Sequence, residues 1–213
     1  MNLSSQSFRH EGAIPQECAF ARPDPATHIA LAENRNPQLT WTDVPGGCRS
    51  LALICVDPDA PTVPDNVNKE GAVVPADLPR ADFHHWAMVD IPPDCPGIAA
   101  GECSDGVTPH GKQSPPNPAG APHARQGVSD YTGWFAGDPE MGGTYRGYDG
   151  PAPPWNDERV HRYHFKLYAL DLDRCPVDGE FTAPDVKKAI EGHVLAEATI
   201  TGTYTLNTKL VLP

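Results

Sequence analysis

The sequence predicts a mainly β fold, with an antiparallel sheet at its core and helix only at the periphery. Three observations carry this. Pro (25) and Gly (19) make up about a fifth of the 213 residues, which suits many turns and long connections between strands. Residues 50–56, Ser-Leu-Ala-Leu-Ile-Cys-Val, are apolar at nearly every position, as in a strand covered on both faces. Strand-like segments come first and the one clear helical pattern comes late, an order typical of a β core with peripheral helix.

Taken in order, residues 1–38 read as irregular, because Pro15, Pro23, Pro25 and Pro37 interrupt each short apolar piece. Leu39–Trp41 reads as a short strand, and Pro45, Gly46 and Gly47 as a turn. The apolar strand at 50–56 follows, then a loop over 57–81 carrying Pro58, Pro61, Pro64, Pro75 and Pro79. A second strand is predicted from about Phe83 to Ile91, stopped by Pro92 and Pro93. Residues 94–157 show little periodicity, yet Tyr131, Trp134, Phe135, Tyr145, Tyr148 and Trp155 point to a packed excursion. A third strand covers His161 to Leu172. A helix is predicted at about Asp185–Ala198, with Thr182 and Asp185 at capping-box spacing and Val186, Ile190 and Val194 on one apolar stripe. Residues 201–206 read as a final strand.

The length fits one domain, taken as residues 1–213. A formal charge of −12 argues against a nucleic-acid or anionic-membrane partner, both of which need clustered Lys and Arg. No apolar run approaches the ~18 residues of a membrane span, and the polar N-terminal stretch offers no signal-peptide core. The expectation is a cytoplasmic protein that is not integral to a membrane. Cys18, Cys48, Cys55, Cys95, Cys103 and Cys175 form no C-x-x-C pair and are expected to be unpaired structural thiols. No zinc site or other cofactor is expected from them.

Three constellations could carry chemistry, each at the end of a predicted strand. Asp57-Pro58-Asp59-Ala60-Pro61 follows the apolar strand, and alternation puts Asp57 on the face of Leu51, Leu53 and Cys55. Its two prolines make a stiff bracket, which on its own is equally a rigid turn with solvated acids. Asp82-Phe83-His84-His85-Trp86 opens the second strand. There His85 is in phase with Phe83, Ala87 and Val89, and His84 with Trp86 and Met88; both could be ordinary core histidines. The third is the Gly-Pro-rich stretch 147–154, then His161-Arg162-Tyr163, where His161 and Tyr163 share a face. Together they suit an anion site: Asp57 would hold an imidazole protonated, and His85, His161 and Tyr163 would donate to the anion. A hydrolase using Asp57, His85 and His161 is the alternative, although neither Ser50 nor Ser129 has a nucleophile-elbow context.

In these segments the sequence resembles the phosphatidylethanolamine-binding protein family, whose bacterial branch is often labelled Raf kinase inhibitor-like. The residues that carry the resemblance are Asp57–Pro61, His84-His85-Trp86, Gly150-Pro151-Ala152-Pro153-Pro154 and His161-Arg162-Tyr163, in family order. Residues 36–41, 167–171 and 191–197 support it, so it spans about 14 to 205. The resemblance implies a large antiparallel sheet packed on a smaller one, with peripheral helices including one near the C-terminus. It implies a ligand pocket at Asp57, Pro61, Asp82, His85, Gly150, Pro153, Pro154, His161 and Tyr163, and a cis peptide at Ala60–Pro61. It implies a non-enzymatic regulatory or carrier protein for phosphate, phosphoethanolamine or a similar small anion. A protein partner and a homodimer are further implications, since some eukaryotic members inhibit kinases and bacterial members often pair. The segment 101–146 is longer than in compact members and is expected to cover or reshape the pocket.

Overall fold

Residues 50–56 form a strand buried on both faces, and the fold is built around it. The computed structural model describes residues 1–212. In chain order the strands are β1 (Asn2–Ser4), β2 (Ala21–Asp24), β3 (His28–Leu31), β4 (Leu39–Thr42), β5 (Ser50–Pro61), β6 (Arg80–Ile91), β7 (Gly97–Ile98), β8 (Arg125–Gln126), β9 (His161–Leu170) and β10 (Val194–Tyr204). Helices α1 (Tyr131–Trp134) and α2 (Ala183–Ala189) are short and peripheral. An antiparallel five-stranded sheet runs β10-β9-β5-β6-β8, beside a three-stranded sheet β1-β4-β7 and a two-stranded ribbon β2-β3.

Strand alternation divides β5 between two cores. Leu51, Leu53 and Cys55 pack with Trp86, Phe165 and Leu167 against Leu39 and Trp41 of the small sheet. Ala52, Ile54 and Val56 pack with Ala87 and Val89 against Val186 of α2 and Ile190 at its C-cap. Both faces are sealed, hence the unbroken apolar run.

Several expectations are corrected. Residues 1–38 are not irregular: β1, β2 and β3 lie there, and Pro23 is accommodated because its ribbon has free edges. The stretch 57–61 continues β5, and β6 starts at Arg80. Pairing between β5 and β9 ends at Val56, so Pro58 and Pro61 fall where one edge of β5 is unpaired. Ala60–Pro61 is trans, in line with Ala60 and Pro61 staying in register with Ala81 and Arg80. The late helix is only α2. Thr182 and Asp185 do form its capping box, but Gly192, at φ +80°, turns the chain, and Val194 and Leu195 become exposed residues of β10.

Candidate functional site

The site is assembled at the ends of β5, β6 and β9 by local features of each strand. On β5 the phase established by Leu51, Leu53 and Cys55 carries Asp57 inward. On β9 the same logic carries His161 and Tyr163 inward with Phe165. On β6 the alternation breaks. Cys55 pairs with Trp86 and Val56 with His84, so His85 is the extra residue of a bulge. Its ring packs edge-on against Tyr163 at 5.2 Å, on the opposite side of the sheet from Ala87 and Val89. His84 instead reaches Asp130 and Lys187 of α2. The two histidines face opposite sides as expected, but their strand partners are interchanged.

Asp57, His161, Tyr163 and His85 are 3, 1, 1 and 2% exposed. His161 donates from Nδ1 to Asp57 Oδ2 at 2.7 Å and from Nε2 to Asp157 Oδ2 at 3.1 Å. Both acceptors are carboxylates, so the ring is an imidazolium with no N–H left over. Burial opposes that charge, but Asp57 and the hydrogen bonds to Asp157 and Asp57 outweigh it and lift the pKa from 6.5 to about 9. The other Asp57 oxygen accepts the Asp59 amide.

The surrounding charges are densely paired. Arg80 grips Asp157 through both terminal nitrogens, at 2.5 and 3.0 Å. Arg162 binds Asp59 twice, at 2.8 and 2.9 Å, and Arg159 adds a contact at 3.2 Å. Burial alone would raise Asp59 and Asp157, but these donors hold both below the usual carboxylate range. Asp57, Asp59 and Asp157 thus face His161, Arg80, Arg159 and Arg162, leaving this cluster one positive charge in surplus within an acidic chain.

His85 differs. Its Nδ1 lies 2.8 Å from the carbonyl of Asp149, which can only accept, so Nδ1 carries the proton. Burial lowers its pKa, so the ring is neutral at pH 7 and Nε2 is a lone pair. That atom and Tyr163 Oη are both buried without a hydrogen-bond partner. Burial, then the charge of Asp57, whose carboxylate lies near Oη but outside hydrogen-bond geometry, keep the Tyr163 phenol protonated. Phe83, Tyr131 and Tyr163 ring His85, at 5.0, 5.5 and 5.2 Å. Tyr131 stacks in turn on Phe20 and Phe135, so part of the long 101–146 segment does lie over His85.

The other expected residues are placed as follows. Gly150, Pro153 and Pro154 are buried and Pro61 is half-buried. Gly150 lets the backbone approach Cys18–Phe20, where a Cβ would meet the Cys18 carbonyl oxygen at 2.1 Å. Asp82 stands apart: it is exposed and its carboxylate is 3.4 Å from Lys187. The sequence reading missed Asp157 and Arg80, for which no motif gave a signal. It also missed Asp149, whose side chain accepts from Lys112 at 2.7 Å and Asn34 at 2.8 Å; an acid inside a Gly-Pro stretch was the available clue. Burial raises the Asp149 pKa, and Lys112 partly offsets this. Among the described residues no cluster of three or more His, Cys, Asp or Glu is arranged to hold a metal.

Comparison with known proteins places the chain in a family. The family model described as phosphatidylethanolamine-binding protein matches residues 4–205. A UPF0098 protein of Methanothermobacter thermautotrophicus is 35% identical over 206 residues, covering 96% of this chain and 98% of that protein. The UPF0098 protein YbhB of Escherichia coli is 31% identical over 172 residues, covering 81% and 82%. Among solved structures, E. coli YbcL, described as a new member of the mammalian PEBP family, aligns with TM-score 0.66 at 25% identity over 96% of this chain and 97% of that one. A putative phosphatidylethanolamine-binding protein homologue of Chlamydia trachomatis aligns with TM-score 0.62 at 25% identity, covering 95% of each. No helix among the described residues is long and apolar enough to cross a membrane.

Proposed function

Because the chain belongs to the phosphatidylethanolamine-binding protein family, we propose that it binds a small anionic group, of the phosphate or phosphoethanolamine kind, between His85 and Tyr163. The observation that carries this is the pair of unpartnered atoms, His85 Nε2 and Tyr163 Oη, on adjoining buried rings. Each buried polar atom left unpaired costs about 1–3 kcal/mol, and an anionic group that accepts from Tyr163 Oη and donates one O–H to His85 Nε2 removes that penalty.

The roles differ from residue to residue. Tyr163 is the neutral donor. His85 supplies Nε2. His161, with both nitrogens engaged, contributes a fixed positive charge and not a free N–H, and Asp57 and Asp157 keep it protonated. Arg80, Arg159 and Arg162 balance the nearby carboxylates, so the anion meets no net negative field from this cluster. Gly150, Pro153 and Pro154 form the wall behind, and Pro61 closes the β5 side. In this reading the protein is a carrier or regulator.

Titrating phosphoethanolamine against the protein while following the imidazole Cε1–H signals by NMR tests this. We expect a saturable shift of His85 that is lost in Tyr163→Phe, with His161 moving less. Signals unmoved at millimolar ligand would remove the proposal.

A further inference from the structure

The free atoms of the site differ in kind, and the difference specifies the ligand. Asp149 holds the Nδ1 proton of His85: its carbonyl accepts from Nδ1 at 2.8 Å, and its own N–H donates to the His85 carbonyl at 3.2 Å, which keeps the two backbones together. Burial favours the neutral ring, and Nε2 meets no group to which a second N–H could donate, so Nε2 is left as an acceptor, and Tyr163 Oη can donate. One acceptor beside one donor does not match a fully deprotonated oxyanion, which has only lone pairs to offer. It matches a group carrying one P–O–H beside one P–O.

We propose, building on the anion reading above, that the site selects phosphomonoesters over phosphodiesters and sulfate, because the ligand must share one proton with His85 Nε2. A monoester has a second ionisation near pH ~6 and can bring that proton at neutral pH. A diester, the linkage of an intact phospholipid, and sulfate have no such proton to bring. The source of the ligand is then a free phosphorylated headgroup or metabolite and not the lipid itself.

The surroundings of His85 are consistent with this stoichiometry. Facing it are the phenols of Tyr131 and Tyr163, with the charge of Asp57 from β5 close by, while Asp130 before α1 and the neighbouring His84, paired with each other, act on it only through their charge. Asp57 and Asp130 favour a proton on the ring, while burial and His84 oppose it. A proton arriving with the ligand lies between Nε2 and a phosphoryl oxygen, and the count is one whichever atom holds it. No bond is made or broken other than that hydrogen bond.

Calorimetry in two buffers of different ionisation enthalpy, from pH 5 to 8.5, measures the count directly. For phosphoethanolamine we expect proton uptake to climb from near zero at pH 5 to about one at pH 8, with affinity falling about tenfold per pH unit above the ligand's ionisation. Glycerophosphoethanolamine and sulfate should bind at least tenfold more weakly at pH 6. Tyr163→Phe should weaken binding at every pH without changing the slope, whereas His85→Ala should flatten it. Phosphoethanolamine binding with a flat pH profile, diester binding as tight as monoester, or an unchanged slope in His85→Ala would each overturn the selectivity while leaving the anion site intact. Absence of heat with every ligand at every pH would instead remove the anion reading beneath it. The wild-type profile decides the matter even if a variant fails to fold.

Discussion

Replacing Asp57 by Asn leaves an oxygen for the Asp59 amide but sets an amide N–H₂ against the Nδ1–H of His161, and the imidazolium loses its nearest counter-charge. The interval between an ordinary 6.5 and about 9 for His161 corresponds, at ~1.4 kcal/mol per pH unit, to roughly 3 kcal/mol. The folded value lies above the unfolded one, so this stability is fully present below pH 6.5 and is lost as pH rises through 9. Asp157 shares in that elevation and burial opposes it, but removing one partner of a buried ion pair costs about 3–5 kcal/mol. Asp57→Asn should therefore be destabilised by about 3 kcal/mol at pH 6, a drop in melting temperature of about 6–12 °C for a chain of this size. At pH 9.5 the wild type has itself lost the charge, and the gap should narrow to about 1 kcal/mol, the worth of a neutral hydrogen bond. Thermal or urea denaturation of both proteins across pH 6 to 9.5 measures the gap. A difference that stays constant over that range, or a wild-type His161 whose NMR titration is centred near 6.5, would refute the paired-imidazolium account.

Two other perturbations probe the frame around His85. Lys112→Met removes the cation from buried Asp149, leaving only Asn34 on that carboxyl, and should cost about 3 kcal/mol at pH 7. Since burial already raises the Asp149 pKa, the variant should recover stability as pH falls and the acid takes up its proton, a trend that denaturation at pH 5 and 7 would show or exclude. Gly150→Ala drives a methyl into the Cys18 carbonyl oxygen and should destabilise by about 1–3 kcal/mol with a disturbed His85 NMR signal. A variant as stable as wild type would mean that the 18–20 segment yields easily.

The β5 and β9 contributions to the site were legible because those strands pair with each other without slippage, so counting by two from the core residues lands Asp57, His161 and Tyr163 on one side. The same counting failed on β6. Its bulge at His85, and a second irregularity between Met88 and Ile91 that includes Asp90 at φ +61°, depend on how neighbouring strands accommodate one another. Nothing in the local residue pattern announces them. The helix was overextended for a related reason: Val194 and Leu195 complete a plausible apolar stripe, but Gly192 ends the turn and pairing with β9 takes over. Aromatic content correctly marked 94–157 as packed. It could not show that Lys112 and Tyr131 from that stretch would converge on the Asp149 carboxylate and the His85 ring, because those contacts span dozens of residues. Asp82, expected in the pocket from its match to the family pattern, shares the α2-side face of His84 and is exposed beside Lys187.

The stack of Phe20, Tyr131 and Phe135 over a fully enclosed His85 bears on speed as much as on fit. A ligand of the proposed kind would reach His85 only if these rings swung aside, so its uptake would be paced by how often the protein opens. In a rapid-mixing experiment the observed rate would climb with concentration and then level off at the opening frequency. The same closure would slow release, so a bound ligand would outlast dilution of the free pool.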